Sequence, residues 1–183
     1  MTLSSVYLNN PQSVWLDGEA KSVAYFCKRN PVRVGAELIE ELKAMAARSG
    51  RNVRLCLHDK PSAAFHEMII LEHAGSYYRP HKHRGKGESY HVIEGSMAAF
   101  VFDEAGRVVD ACRLAPGADF LYRVGADTYH GVLPLTDQVV YHESKPGPFG
   151  GEADSLYPAW APDGSREAEV AEFRGRLLRA LGA

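Results

Sequence analysis

The chain has 183 residues, 45% of them hydrophobic and 24% charged, and a formal net charge of -2. A chain of this length is read as one domain that can bury a core without staples, and its near-neutral charge gives no pull toward nucleic acid or an anionic membrane surface. It holds no run of 18 apolar residues, so no transmembrane helix is expected, and MTLSSVYLNN lacks the basic and apolar regions of a secretory signal.

Residues 1–51 read as an N-terminal extension. Val23–Cys27 is compatible with an edge strand. Within residues 35–50, Leu38, Ile39, Leu42, Met45 and Ala46 recur at helical spacing, and Gly50 stands where a helix stops. Cys27, together with Cys56 and Cys112, makes an odd and scattered set. These three suit reduced thiols in a cytoplasmic protein better than a disulfide framework or a metal knuckle.

Residues 52–146 change character. Short runs rich in β-branched and aromatic residues cover 53–58, 64–72, 76–83, 88–94, 98–103, 108–114, 119–124, 128–133 and 138–143. Turn signals such as Glu94-Gly95 and Ala115-Pro116-Gly117 separate them. Many short strands at this spacing predict an all-β sandwich or barrel, and no helical pattern interrupts them to suggest parallel βαβ units. Residues 147–183 follow as a Gly- and Pro-rich loop and a second helix. Ser165 is placed to cap that helix, Val170, Phe173, Leu177, Leu178 and Leu181 form one stripe, and Gly182 ends it.

The most informative segment is Gly75-Ser-Tyr-Tyr-Arg-Pro-His81-Lys-His83-Arg-Gly-Lys-Gly-Glu88. On extended backbone, His81 and His83 leave the same face because side chains alternate with period 2. Glu88 opens the next strand and can swing back to the same interior. Two imidazole nitrogens and a carboxylate oxygen suit first-row divalent ions. A fourth ligand from far along the chain is best supplied by His130. On residues 128–133 it shares a face with Thr128 and Val132, while Tyr129 and Leu133 face away.

The spacing G-x5-H-x-H-x4-E-x6-G, from Gly75 to Gly95, resembles the first motif of the cupin superfamily without a gap. The second cupin motif fits less closely. Gly117 and Gly125 keep its spacing, but Arg123 takes its proline position and Pro134 its asparagine position. Within the cupins the chain is similar to the WbuC-type cupin fold metalloproteins. That likeness is carried by Arg54-Leu-Cys56-Leu-His58, by Glu143-Ser-Lys-Pro-Gly-Pro-Phe149 and by Trp160-Ala-Pro162.

The resemblance implies a double-stranded β-helix, or jelly-roll barrel, with one helix at each end of the chain. It also implies one divalent transition metal ion (Fe, Zn, Mn or Ni) and, as cupins commonly assemble, a homodimer. The two helical stripes are equally compatible with packing inside one chain.

Other residues carry weaker expectations. Arg54 and His58 share a strand face and are candidates to line the pocket and bind an anionic substrate. Tyr77 and Arg79 share parity with His81 and His83, which would turn them toward the lumen. His66 reads as a core or rim histidine and His91 as structural. Lys82, Arg84 and Lys86 read as a solvated rim.

Three functions fit this pattern. The first is metal-assisted isomerisation or epimerisation of a sugar or nucleotide-sugar in bacterial surface polysaccharide (O-antigen) synthesis, as the WbuC likeness implies. The second is an Fe(II)-dependent dioxygenase, and the third a metal-dependent binding or sensing module without turnover.

Overall fold

A computed structural model describes residues 6–182 other than Glu19 and Lys21. Part of the segment read as lacking a secretory signal, residues 1–5, lies outside the described residues. The chain opens with β1 (Val14–Asp17), β2 (Val23–Cys27), α1 (Ala36–Ser49) and β3 (Val53–Cys56). The middle holds β4 (Phe65–His73), β5 (Glu88–Glu94), β6 (Met97–Phe102), β7 (Val108–Leu114), β8 (Leu121–Val124), β9 (Tyr129–Pro134) and β10 (Gln138–Pro146), and α2 (Glu167–Ala180) closes the fold.

The strands form a seven-stranded sheet of order β1-β2-β3-β4-β10-β5-β8 and a three-stranded sheet of order β7-β6-β9. Tyr90, Val92, Met97, Ala99, Leu114, Val124, Val139 and Tyr141 pack together between them. This is the cupin jelly roll expected from the sequence, with a helix toward each end of the chain.

The turn from β5 to β6 shows how local chemistry sets the register. Gly95 sits at φ 74°, and a Cβ there would collide with the Gln138 carbonyl oxygen, so only glycine lets the chain turn at that point.

Each helix covers the outside of one sheet. Leu38, Ile39, Leu42 and Ala46 of α1 are buried against Val53, Leu55, Ile69 and Leu71. Removing a leucine or isoleucine side chain of this kind from water is worth roughly 1.5–3 kcal/mol. Gly50 ends α1 in the left-handed region, at φ 63°, with its N–H donating to Ala46 O at 2.9 Å. Phe173 and Leu177 of α2 pack on Ala98, Phe100, Phe102 and Leu133, outside the smaller sheet. Both apolar stripes are therefore covered within the chain.

Three local expectations are corrected. Strand β2 is not an edge: β1 pairs with one side of it and β3 with the other, and all five of its residues are buried. The short β1 carries no alternation long enough to announce it. The β2–β3 pair is parallel because α1 supplies the crossover. Residues 76–83 form no strand. Only His81 and Lys82 make isolated bridges there, following Pro80, which cannot donate to a ladder. At α2 the cap position is Arg166, and the Ser165 hydroxyl instead donates to the Asp163 carboxylate at 2.6 Å. Among the described residues no helix is long and apolar enough to cross a membrane, and Cys27, Cys56 and Cys112 are all free thiols.

Candidate metal centre

Backbone pairing brings distant residues together. His81 N–H donates to His130 O at 3.0 Å and His130 N–H to His81 O at 2.9 Å. Residues paired directly across such a bridge project to the same side, and the two rings lie 4.8 Å apart. Asp127 N–H donates to His83 O at 3.1 Å, which keeps the backbone extended for two more residues. The His83 ring is 4.8 Å from that of His81. Glu88 begins β5 with its side chain inward. One ligand atom from each of His81, His83, Glu88 and His130 lies within 4.8 Å of all the others.

The tautomers are set by main-chain carbonyls. His81 Nδ1 meets Arg79 O at 3.0 Å, His83 Nδ1 meets Asp154 O at 2.6 Å and His130 Nδ1 meets Thr128 O at 2.8 Å. A carbonyl oxygen only accepts, so each Nδ1 carries the hydrogen and each Nε2 keeps its lone pair. His83 Nε2 lies 3.3 Å from Glu88 Oε2, and His130 Nε2 lies 2.8 Å from Glu88 Oε1. None of His83 Nε2, His130 Nε2 and Glu88 Oε2 makes a hydrogen bond among the described residues, although all are buried.

Orphaned buried acceptors of this kind are costly. They are explained if they share an ion: donors bound at about 2.0–2.2 Å to one centre stand about 3–4.4 Å from each other. Three imidazoles and one carboxylate leave a position open in a five- or six-coordinate ion. The residues fit such an ion.

Charge supports the same corner. Burial pushes the Glu88 carboxyl up, but a proton on His130 and His83, or an ion in the proton's place, together with the Lys145 ammonium outweighs it, so Glu88 stays well below the usual carboxylate range. Lys145 Nζ lies 3.6 Å from Glu88 Oε2 and 3.2 Å from Glu143 Oε1, and the Tyr90 hydroxyl donates to Glu88 Oε1. Burial, and after it the His130 charge, pulls the His81 imidazole down to about 4.

A cavity of about 850 Å3 opens onto this corner. His81, Glu88 and His130 line it, and so do Arg54 of β3, His58 two residues past the end of that strand rather than on it, and His66 of β4. His58 and His66 stack with ring centres 4.1 Å apart and planes 7° from parallel. Tyr77 and Arg79 lie outside this lining. The Tyr77 hydroxyl donates to Pro162 O at 2.7 Å, and Arg79 donates to Pro158 O at 2.9 Å with its guanidinium 5.2 Å from the Tyr157 ring centre. Tyr78 lines the cavity instead. Because residues 76–80 are not a strand, the parity of His81 and His83 does not extend back to them.

His91 is exposed on the other face and meets Phe120 with ring centres 5.3 Å apart. Two of the three rim cations have acidic partners: Lys82 binds Glu104 at 2.8 Å and Lys86 binds Asp154 at 2.5 Å. Sequence reading missed Tyr90, which the alternation from Glu88 signals. It also missed Lys145 and Asp154, for which no local pattern exists.

A family described as "Domain of unknown function (DUF6016)" matches residues 34–114, less than half of the chain. No curated protein matches the sequence. Three solved structures illustrate what the chain is similar to. Against L-ribose isomerase from Cellulomonas parahominis, with L-psicose, the TM-score is 0.48 at 18% identity, covering 60% of this chain and 70% of that one. CapF with the inhibitor 3-isopropenyl-tropolone gives 0.48 at 14% identity, covering 55% of this chain and 30% of that one. The Cnp3 cupin domain of Schizosaccharomyces pombe gives 0.42 at 12% identity, covering 52% and 64%. This chain thus spans under a third of the CapF chain. Independently of those likenesses, two facing sheets around a lumen that gathers three imidazoles and a carboxylate are the architecture of a cupin.

Proposed function

We propose that the protein is a metal-dependent cupin that isomerises or epimerises a small sugar or nucleotide-sugar. The observation that carries this reading is the set of three Nδ1–carbonyl bonds, which leave three Nε2 lone pairs converging with Glu88 at the mouth of a ligand-sized cavity. A divalent ion held by His81, His83, Glu88 and His130 would polarise a substrate carbonyl or stabilise charge developing beside it.

The chain's own residues supply the rest. Lys145 and Tyr90 hold the Glu88 carboxylate in place. His58 and His66 are the groups suited to accept and return a proton. Burial, ahead of the neighbouring His66, pulls the His58 imidazole down to about 4, and burial lowers His66 too, so both are neutral bases at pH 7. The stacked rings and the His58 Nδ1 contacts with Glu67 O, at 3.2 Å, and with the Glu67 N–H, at 3.3 Å, fix the His58 ring at the cavity wall.

The sugar class and a place in bacterial surface polysaccharide synthesis rest on the WbuC-like segments around Arg54–His58 and Glu143–Phe149. A cytoplasmic setting suits the three free thiols.

One experiment tests this reading. Protein purified without oxygen is analysed for metal, then incubated in D2O with sugars and nucleotide-sugars while products and dissolved oxygen are followed. A product isomer carrying deuterium beside the carbonyl, formed without oxygen uptake, is the expected result. Iron-dependent oxygen consumption would replace this reading with a dioxygenase, and tight binding without product with a sensing module.

A further inference from the structure

The β3–β4 wall of the cavity carries a cation, Arg54, that forms no ion pair among the described residues. Arg54 lies on β3 opposite Ile70, and Cys56, two residues on, lies opposite Met68. All four residues line the cavity. Among the described residues, no carboxylate forms an ion pair with Arg54, and its Nε is buried without a hydrogen-bond partner. Asp17 lines the same cavity two strands over in the row of Arg54 and has an interaction of its own, and three other acids are committed elsewhere. Glu143 and Glu88 hold Lys145 at 3.2 and 3.6 Å, and Glu72 accepts from the Tyr141 hydroxyl at 2.7 Å, with burial pushing its carboxyl up to about 7.

Cys56 and His58, which follow Arg54 toward the metal-side rows of the wall, line the same cavity. Burial dominates at Cys56 and at His58, but the Arg54 charge is felt at both. A partly buried guanidinium with unused donors is a costly arrangement unless a ligand completes it.

We infer that Arg54 seats an anionic group of the substrate, a carboxylate or a phosphate, which its planar fork can bind through two parallel hydrogen bonds. His58 beside it is neutral and brings no second charge. His66 is not free to turn toward the anion, because its Nε2–H donates to Pro61 O at 3.0 Å.

The position of the seat also sets the ligand's length. Strands β4 and β10 stand between β3 and β5. Three steps of about 4.8 Å across the strands, and an offset of about four residues along them because the row of Arg54 meets β5 at Val92, place Arg54 on the order of 20 Å along the curved wall from Glu88. A molecule touching both ends is extended, with an anion at one end and a carbonyl or hydroxyl at the other. Sugar phosphates, sugar acids and nucleotide-sugars meet that description, and a neutral monosaccharide does not. Only this length argument rests on the proposed metal-assisted function; the seat needs no ion.

The test titrates metal-loaded, 15N-labelled protein with inorganic phosphate and, separately, with acetate, following the arginine Nε–H resonances. The Arg54 signal is the one missing from Arg54→Gln. The expected result is a saturable shift of that signal by one of the two anions, and the more effective anion names the chemistry. Affinity should fall at least tenfold in Arg54→Gln and only partly in Arg54→Lys, with circular dichroism confirming that both variants fold.

His83→Ala, which disables the metal centre, should bind the anion as wild type does. The seat is overturned if neither anion moves the Arg54 signal, or if affinity is unchanged in Arg54→Gln. Loss of binding in His83→Ala alone assigns the anion to the metal and also overturns the seat. Failure of the metal reading would instead appear as metal-free wild type with intact anion binding.

Discussion

Two walls of the same cavity are built on different plans. At the metal corner, His83, Glu88 and His130 are 1%, 4% and 3% exposed, and every ligand imidazole is pinned by a main-chain carbonyl. On the β3–β4 wall, Arg54 and His58 are only half-buried, and the buried Nε of Arg54 has no hydrogen-bond partner among the described residues. The first plan places lone pairs with the precision a small ion requires. The second leaves donors free to adjust to a larger ligand. The difference teaches that a rigid chemical centre and an adaptable recognition surface can share one lumen when they are hung on different strands.

The largest effect that would sharpen this comparison is expected from His83→Ala. It removes one of four ligands and leaves a buried carboxylate with only one of its two adjacent imidazoles. Metal affinity should fall by more than the roughly 100-fold that loss of an outer-shell partner can cause. Elemental analysis after gel filtration reads it, and unchanged stoichiometry would remove His83 from the site.

An intermediate effect is expected from Gly147→Ala, aimed at the other wall. A Cβ there would collide with Ala63 O and stand 2.7 Å from His66 Nε2. Forcing that space should cost about 1–3 kcal/mol, seen as a lower urea midpoint, while metal content stays at the wild-type level. Loss of metal together with stability would show that the walls are one unit, and the comparison would break.

The smallest effect concerns acid. In the folded chain His58 stays neutral until about pH 4, whereas an unfolded imidazole takes up its proton near 6.5. Between those values the unfolded state binds more protons, so this contribution to stability is whole above about pH 6.5 and is lost as pH falls toward 4. Replacing His58 by Gln should flatten that part of the dependence, measured as the difference in melting temperature between wild type and variant at pH 7.5, 5.5 and 4.5. Parallel curves would place His58 in contact with solvent.

Much of the site was legible because it is written locally. The pair His81 and His83, with Glu88 five residues beyond, needs only one extended turn and a glycine-rich corner to converge, and His130 lies on a strand whose alternation marks it as inward. The same logic failed at Tyr77 and Arg79, where Pro80 interrupts the backbone and a rule of alternation has no strand to act on. It also placed β2 at an edge, because pairing with β1 depends on residues outside β2 itself.

The sequence by itself therefore determined the elements and the ligand types, since side-chain periodicity and motif spacing are properties of neighbours in the chain. Tertiary structure alone decided what surrounds them. It chose the Asp154 carbonyl, 71 residues from His83, to fix that ring. It brought Lys145 to Glu88 and spent both helical stripes on intrachain packing. It also left Arg54 facing a cavity without an ion pair among the described residues. These outcomes depend on which strands become neighbours when the sheets close, and no short stretch of residues specifies that closure.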